Sequence, residues 1–204
     1  MTPKRKSRRT WLFVLAGLIA LVLVGGLVAL RPHVTPLYWA IRTCAVLGYL
    51  AIFLAIVASA YMRQMVRIFG RPFVQTHHIL SVTGLVLVTL HPLGVAWSFA
   101  NPRVLLPRFE SLRMFLQWGG PPAWYLIGLA MLAAVLRKTF RDNWRAVHIL
   151  NYLAFLLATA HAIMLGTDFQ PLILKAVPLA MVLVVVAIFI QKRLQQRRLR
   201  ARRR

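Results

Sequence analysis

Residues 146–165 read AVHILNYLAFLLATAHAIML and decide how the rest of the chain is interpreted. The segment contains no Asp, Glu, Lys or Arg, and its length matches the roughly 20 residues that a helix needs to cross a bilayer. It also holds two histidines, His148 and His161. Ionisable side chains are expensive inside a membrane and are usually functional there. The segment therefore predicts a transmembrane helix that carries a functional pair of imidazoles.

Apolar segments of similar length recur along the whole chain. Its 204 residues are 60% hydrophobic and have a mean hydropathy of +0.69, which is more apolar surface than a soluble domain of this size can bury. We predict an all-α integral membrane protein, a six-helix transmembrane bundle. The predicted spans are residues 11–30, 37–62, 77–99, 123–136, 146–165 and 171–190. They form one domain, residues 11–190, between a basic N-terminus, residues 1–10, and a basic tail, residues 191–204.

The charge of the chain is strongly one-sided. There are 26 Lys and Arg residues against 3 Asp and Glu, a formal net charge of +23. The basic residues lie in the tails and in the loops between apolar segments, which is typical of membrane topology and of contact with anionic lipid rather than nucleic acid. Most of them fall on one side if both termini are cytoplasmic. We therefore predict a multi-pass protein of the cell (inner or plasma) membrane, with both termini in the cytoplasm.

The third predicted span also contains histidines, at positions 77, 78 and 91. His91 follows His77 by fourteen residues and His161 follows His148 by thirteen, so each helix presents two imidazoles about 20 Å apart along its axis. Both helices start from the same side of the membrane. His77 or His78 is then level with His148, and His91 is level with His161. One imidazole from each helix at each level is what a six-coordinate haem iron requires.

The angular positions of these histidines around their helices agree less well with a shared haem than their depths along the helices do. Fourteen residues is about 40° short of four turns, so His77 and His91 share one helix face. Thirteen residues is about 140° short, so His148 and His161 share a face only with the help of a π-bulge or a bend; otherwise their porphyrins lie at different azimuths. Structural histidines that bond between helices are an alternative, as is a zinc or copper site. The corresponding alternative function is a non-redox transporter or assembly protein.

Short motifs surround the histidines. Residues 144–148 read WRAVH, Tyr152 and His161 follow, and residues 166–168 read GTD. Together they resemble the fifth helix of the ferric reductase-like transmembrane domain, and TLHPL at residues 89–93 resembles the third helix of that family. The superfamily includes the membrane parts of ferric reductases and NADPH oxidases, and the haem-binding membrane subunit of the methionine sulfoxide reductase system. That subunit typically lacks the first histidine of the third helix, which is present here.

The resemblance covers residues 38–190 and implies a membrane cytochrome b. It implies a six-helix bundle in which the third and fifth helices hold b-type haem, two groups or one. The implied axial ligands of the haem iron are His77 or His78 with His148 at the cytoplasmic level, and His91 with His161 at the outer level. Arg145 lies close to His148 in sequence and is predicted either to pair with a haem propionate or to serve topology alone.

The electron donor and acceptor are expected to be other molecules. The sequence has no Gly-rich nucleotide-binding segment, so we expect no flavin site within this chain. Electrons would come from a cytoplasmic flavin reductase or from quinol, and would pass through iron to an acceptor outside: ferric iron, oxygen or a periplasmic redox protein. The predicted function is therefore electron transport, as the transmembrane haem subunit of an oxidoreductase.

Overall fold

The part of the chain that the structure describes is built from helices and short connections. A computed structural model describes residues 35–69, 72–140, 143–166, 169 and 172–201. Its elements are α1 Pro36–Ala60, α2 Met62–Phe69, α3 Pro72–Ser98, a 3₁₀ helix Pro102–Leu105, α4 Leu112–Gln117, α5 Gly120–Val135, α6 Arg137–Phe140, α7 Trp144–His148, α8 Leu150–Met164 and α9 Leu172–Ala201. The predicted all-α class is confirmed for these residues. The predicted first span, residues 11–30, and the basic N-terminus lie outside them.

Four helical stretches are long and apolar enough to cross a membrane. They are Pro36–Ala60, Val74–Ser98, Trp144–Met164, which joins α7 to α8, and Leu174–Leu199. Large apolar side chains project outward from them; Val82 is 55% exposed and Leu183 is 71% exposed. Water penalises apolar surface of this kind, whereas lipid tails solvate it as well as leucine does. The protein is thus a membrane protein, as predicted.

The helix α5 is shorter than these four. It has 16 residues, about 24 Å at 1.5 Å per residue, against a hydrocarbon core of roughly 30 Å. It begins at Gly120, before the predicted start at residue 123, and its buried residues Ala123, Ile127, Ala130 and Ala133 follow a helical spacing along one face. That face packs against α8. The number of spans therefore stays a prediction beyond the four stretches above.

Glycines allow α1 and α3 to lie side by side along much of their length. A Cβ on Gly48 of α1 would lie 2.8 Å from Val88 Cγ1, and a Cβ on Gly84 of α3 would lie 2.9 Å from Ile52 Cδ1. Small residues at such crossings let two backbones approach closely within a membrane. The close pairing brings α1 against the histidine-bearing face of α3, so α1 takes part in the site described below.

Phe155 of α8 lies at the centre of the bundle. It is 1% exposed, and its ring stacks on Tyr49 of α1 with the two ring centroids 4.8 Å apart. The Thr159 hydroxyl donates its hydrogen to the Phe155 carbonyl at 2.8 Å. The Tyr49 hydroxyl, 2.7 Å from the same Thr159 oxygen, must therefore donate to it. Aromatic stacking and a buried hydrogen bond thus fix α8 against α1.

The last helix extends further than its predicted span. We predicted that the sixth apolar segment ends at residue 190, but α9 continues without interruption from Leu172 to Ala201. Its 30 residues correspond to about 45 Å, close to the thickness of a bilayer with its headgroups. Most of the predicted basic tail is therefore the last turns of this helix. Within it Lys192 and Arg193 are half-buried against neighbouring helices.

Candidate cofactor site

A cavity of about 370 Å³ lies at the end of the bundle where α1 meets α2. Its volume is within the range of small-molecule sites. His77 of α3 and His148 of α7 both line it, together with Ser59, Ser81 and Asn151. The two histidines come from different helices, α3 and α7, as their positions in the sequence predicted. We refer to this end of the bundle as the His77 end, and to the opposite one as the His91 end.

The structure separates the two adjacent histidines of α3. His77 is half-buried and lines the cavity, whereas His78 is exposed and does not line it. Their rings are tilted, with centroids 5.8 Å apart. Consecutive residues on a helix point about 100° apart, so only one of the two can face the cavity. The geometry thus favours His77 over His78 as the residue that faces a bound group.

His148 is held in place by a neighbouring helix. Its Nδ1 lies 3.2 Å from the Ala130 carbonyl oxygen of α5 and 3.4 Å from Nδ2 of Asn151. The carbonyl can only accept and Nδ2 can only donate, so Nδ1 serves one of the two at a time; in the tautomer that makes the shorter bond, Nδ1 carries the ring hydrogen and donates it to Ala130. The other ring nitrogen, Nε2, then keeps a free lone pair.

At the His91 end a second pair of histidines has the same arrangement. His91 Nδ1 lies 3.2 Å from the Ile41 carbonyl of α1, and His161 Nδ1 lies 2.9 Å from the Gln117 carbonyl of α4. Each therefore donates from Nδ1 to a backbone carbonyl and retains a lone pair on Nε2. Histidines that bind metals are usually oriented by this kind of hydrogen bond.

Gly120 packs against one face of the His161 ring. A Cβ at this position would lie 3.1 Å from Nε2, 3.2 Å from Cδ2 and 3.3 Å from Cε1 of His161. Since the three distances are nearly equal, Gly120 lies over the face of the imidazole and not in line with the lone pair of Nε2. The N-terminus of α5 therefore packs on the ring without blocking the direction in which a ligand bond would form.

The helix is interrupted between His148 and His161. α7 ends at His148, Ile149 forms a turn, and α8 begins at Leu150. The Tyr152 N–H donates to the Ile149 carbonyl at 3.0 Å, a spacing of three residues that is typical of a tightened turn. A tightened turn advances the chain by more than 100° per residue. The additional rotation brings His148 toward the helix face that carries His161. It therefore reduces the angular difference of about 140° that thirteen residues of an ideal helix would leave between them.

The His77 end is positively charged. Arg145, Lys192 and Arg193 line the cavity, and none of its lining residues is acidic. Arg145 is exposed, and its guanidinium carbon lies 5.1 Å from the ring centroid of Trp144. Cations around a partly apolar cavity favour an anionic amphiphilic ligand. Sequence reasoning identified Arg145 but assigned Lys192 and Arg193 to the tail.

The chemistry of the donors narrows the kind of group that fits. Among the residues that the structure describes, no cluster of three or more His, Cys, Asp or Glu side chains could hold a metal ion directly. Two imidazoles at each level suit a metal whose remaining ligands come from a macrocycle, as in haem.

No protein family model matches this chain, and no curated protein or solved structure shows significant similarity to it.

Proposed function

We propose that the protein is a haem b-binding membrane subunit that transfers electrons across the membrane, akin to the ferric reductase-like family. One observation carries the proposal. An imidazole of α3 and one of α7 line the same cavity at the His77 end, and α3 and α8 each carry a further imidazole toward the His91 end. Three of these four imidazoles have Nδ1 within hydrogen-bonding distance of a backbone carbonyl, and their Nε2 has no hydrogen-bond partner in the part of the chain that the structure describes. A hydrogen bond from Nδ1 to a backbone carbonyl is the usual way in which a metal-binding histidine is oriented.

The side chains present would suit both the iron and the propionate groups of haem. His77 with His148, and His91 with His161, would supply the axial nitrogens. Arg145, Lys192 and Arg193 would pair with the propionates at the His77 end, where charge-assisted hydrogen bonds are strongest in a poorly solvated setting. When bound, haem supplies a one-electron change between Fe(II) and Fe(III).

The chain's own residues would set the conditions for this chemistry. The carbonyls of Ile41, Ala130 and Gln117 fix the orientation of their histidines and raise the basicity of the ligating nitrogens. The apolar core around Phe155 keeps water out of the space between the two levels. Two levels about 20 Å apart divide a core of roughly 30 Å into short electron-transfer steps.

The proposed orientation of the protein in the membrane comes from the distribution of its basic residues. Arg63 and Arg67 of α2, Arg137 and Lys138 after α5, and the basic end of α9 all flank the His77 end. The positive-inside rule assigns such an end to the cytoplasm. Electrons would then enter from a cytoplasmic flavoprotein or from quinol at the His77 level, and leave at the His91 level to ferric iron, oxygen or a periplasmic redox protein. Six spans in the cell membrane complete the proposal.

The proposal is tested by the spectrum and the haem content of the purified full-length protein. We expect a b-type reduced-minus-oxidised spectrum and, by the pyridine haemochromogen method, about two haems per chain, because each level has two imidazoles. Absence of b-type absorbance after expression with sufficient haem would refute the proposal and leave a non-redox membrane protein.

A matched pair of variants tests the role of His77 within this proposal. His77→Ala should convert about half of the low-spin haem to a high-spin form, because iron at that level would keep only one axial imidazole. The adjacent His78→Ala should leave all haem low-spin, since His78 is exposed and outside the cavity. Electron paramagnetic resonance distinguishes the two spin states. A high-spin signal in His78→Ala alone would reverse the assignment.

A second matched pair lies on α5. In Gly120→Ala the added methyl would meet the His161 ring at 3.1 Å, so the ring must move by some tenths of an ångström. Displacing an oriented ligand should weaken haem retention at the His91 end about tenfold, the low end for changes beside a ligand. Gly128→Ala adds the same methyl to the same helix where nothing lies within 4 Å. Haem loss during dialysis against apomyoglobin measures both, and equal loss would show that the ring contact is irrelevant.

A further inference from the structure

His77 differs from the other three paired histidines in how it is held. Its Nδ1 is buried and has no hydrogen-bond partner among the residues that the structure describes. The ring approaches the backbone of Ala55 without reaching hydrogen-bonding geometry. The hydroxyl of Ser81, one turn further along α3, donates instead to the His77 carbonyl at 2.8 Å. Among the described residues, the His77 ring is therefore held less firmly than the other three, by a contact with the Ala55 backbone that falls short of hydrogen-bonding geometry.

The missing hydrogen bond weakens an imidazole as a ligand. A donor–acceptor bond from the second ring nitrogen fixes the tautomer and raises basicity, and losing such a bond typically lowers metal affinity by about 10–100-fold. His148, on the other side of the same cavity, keeps its bond to the Ala130 carbonyl. The two ligands at the His77 level are thus unequal, whereas those at the His91 level are matched.

The surroundings of His77 also leave the ring room to move. The cavity wall contributed by α1 consists partly of small side chains, Ala55, Ser59 and Ala60. At the His91 end the rings are enclosed differently, since Gly120 packs on the face of His161. A displaced His77 would have space to turn beside the small side chains of α1.

From these differences we infer that His77 is an exchangeable ligand, and that the His77 level, unlike the His91 level, binds a small neutral ligand such as carbon monoxide. The inference rests on the proposed haem function. With haem bound there, carbon monoxide would replace the His77 nitrogen, so one ligand bond would be lost for one gained. No electron or proton would be transferred, and His148 would stay bound.

The test is a carbon monoxide titration of the dithionite-reduced, purified full-length protein. We expect a difference spectrum that corresponds to about one of two haems per chain. His77→Ala should bind carbon monoxide at that same haem with at least about tenfold higher affinity, because no imidazole competes for the iron. His78→Ala serves as the control and should titrate like the unsubstituted protein.

The outcomes separate the two proposals. Two low-spin haems without any carbon monoxide spectrum would overturn the exchangeable ligand and leave the proposed function intact. Binding at both haems would also overturn it, since the two levels would then be alike. A protein without haem would refute the proposed function itself. If His77→Ala folds poorly, His77→Leu offers a side chain of similar size that cannot bind iron, and the same gain in carbon monoxide affinity is expected.

Discussion

Replacing His161 with alanine is expected to remove the haem at the His91 end and to stop electron transfer across the membrane. His91 alone would hold the iron, and the Gln117 carbonyl would lose its donor. A buried carbonyl without a partner costs about 1–3 kcal/mol in addition to the lost ligand bond. The haem content should fall from about two to about one per chain.

Vesicles provide the measurement. Protein is reconstituted with a membrane-impermeant reductant inside and an impermeant oxidant outside, and the oxidant is followed by absorbance. We expect transfer by the His161→Ala protein to fall to the rate of protein-free vesicles, while the His78→Ala protein transfers like the unsubstituted one. A His161→Ala protein that kept both haems would contradict the pairing of His91 with His161.

The placement of the histidines was largely predictable from sequence because it depends on counting along helices. Helical rise converts residue number into depth with little error, and His148 lines the same cavity as His77, one of the two α3 histidines that we expected at its level. The choice between His77 and His78 needed the structure, since it depends on how α3 is rotated. For the 13-residue spacing we predicted a π-bulge, a bend or porphyrins at different azimuths, and the tightened turn at Ile149 was not among these.

The groups that orient the histidines could not be predicted. The acceptors on Ile41, Ala130 and Gln117 are backbone carbonyls, which every residue has, so no side-chain signal marks them. They act only because α1, α4 and α5 pack beside the histidine-bearing helices. Gly120 also carried no signal, since its role depends on its position over a ring forty-one residues away in sequence.

The fold was likewise predictable only in part. Hydropathy identified the helical membrane class, because a bilayer leaves few ways to satisfy backbone hydrogen bonds. It did not predict that α9 would continue to Ala201. Basic residues end an apolar segment without ending a helix, since Arg, Lys and Gln are good helix formers. Helix length therefore exceeded the apolar segment wherever no breaker followed it.

The largest effect on stability is expected from Phe155→Ala. Phe155 is 1% exposed and contacts Tyr49 and Phe53, with centroid distances of 4.8 Å and 6.0 Å. In lipid the transfer of a phenyl group from water contributes little to folding, so the loss is mainly one of packing and stacking. We expect a decrease in unfolding free energy of about 3 kcal/mol, the lower end for truncation of a buried phenylalanine.

The adjacent Leu156→Ala is the matched control, because Leu156 is 37% exposed on the lipid-facing side. Its effect should stay near 0.5 kcal/mol, as is typical of surface positions. Unfolding in detergent mixtures, followed by circular dichroism, measures both variants.

Because Phe155 lies between the two histidine levels on α8, its truncation should also loosen α8 against α1 and lower haem content at both levels together. Loss at one level alone would mean that α8 does not support the two sites as one rigid unit.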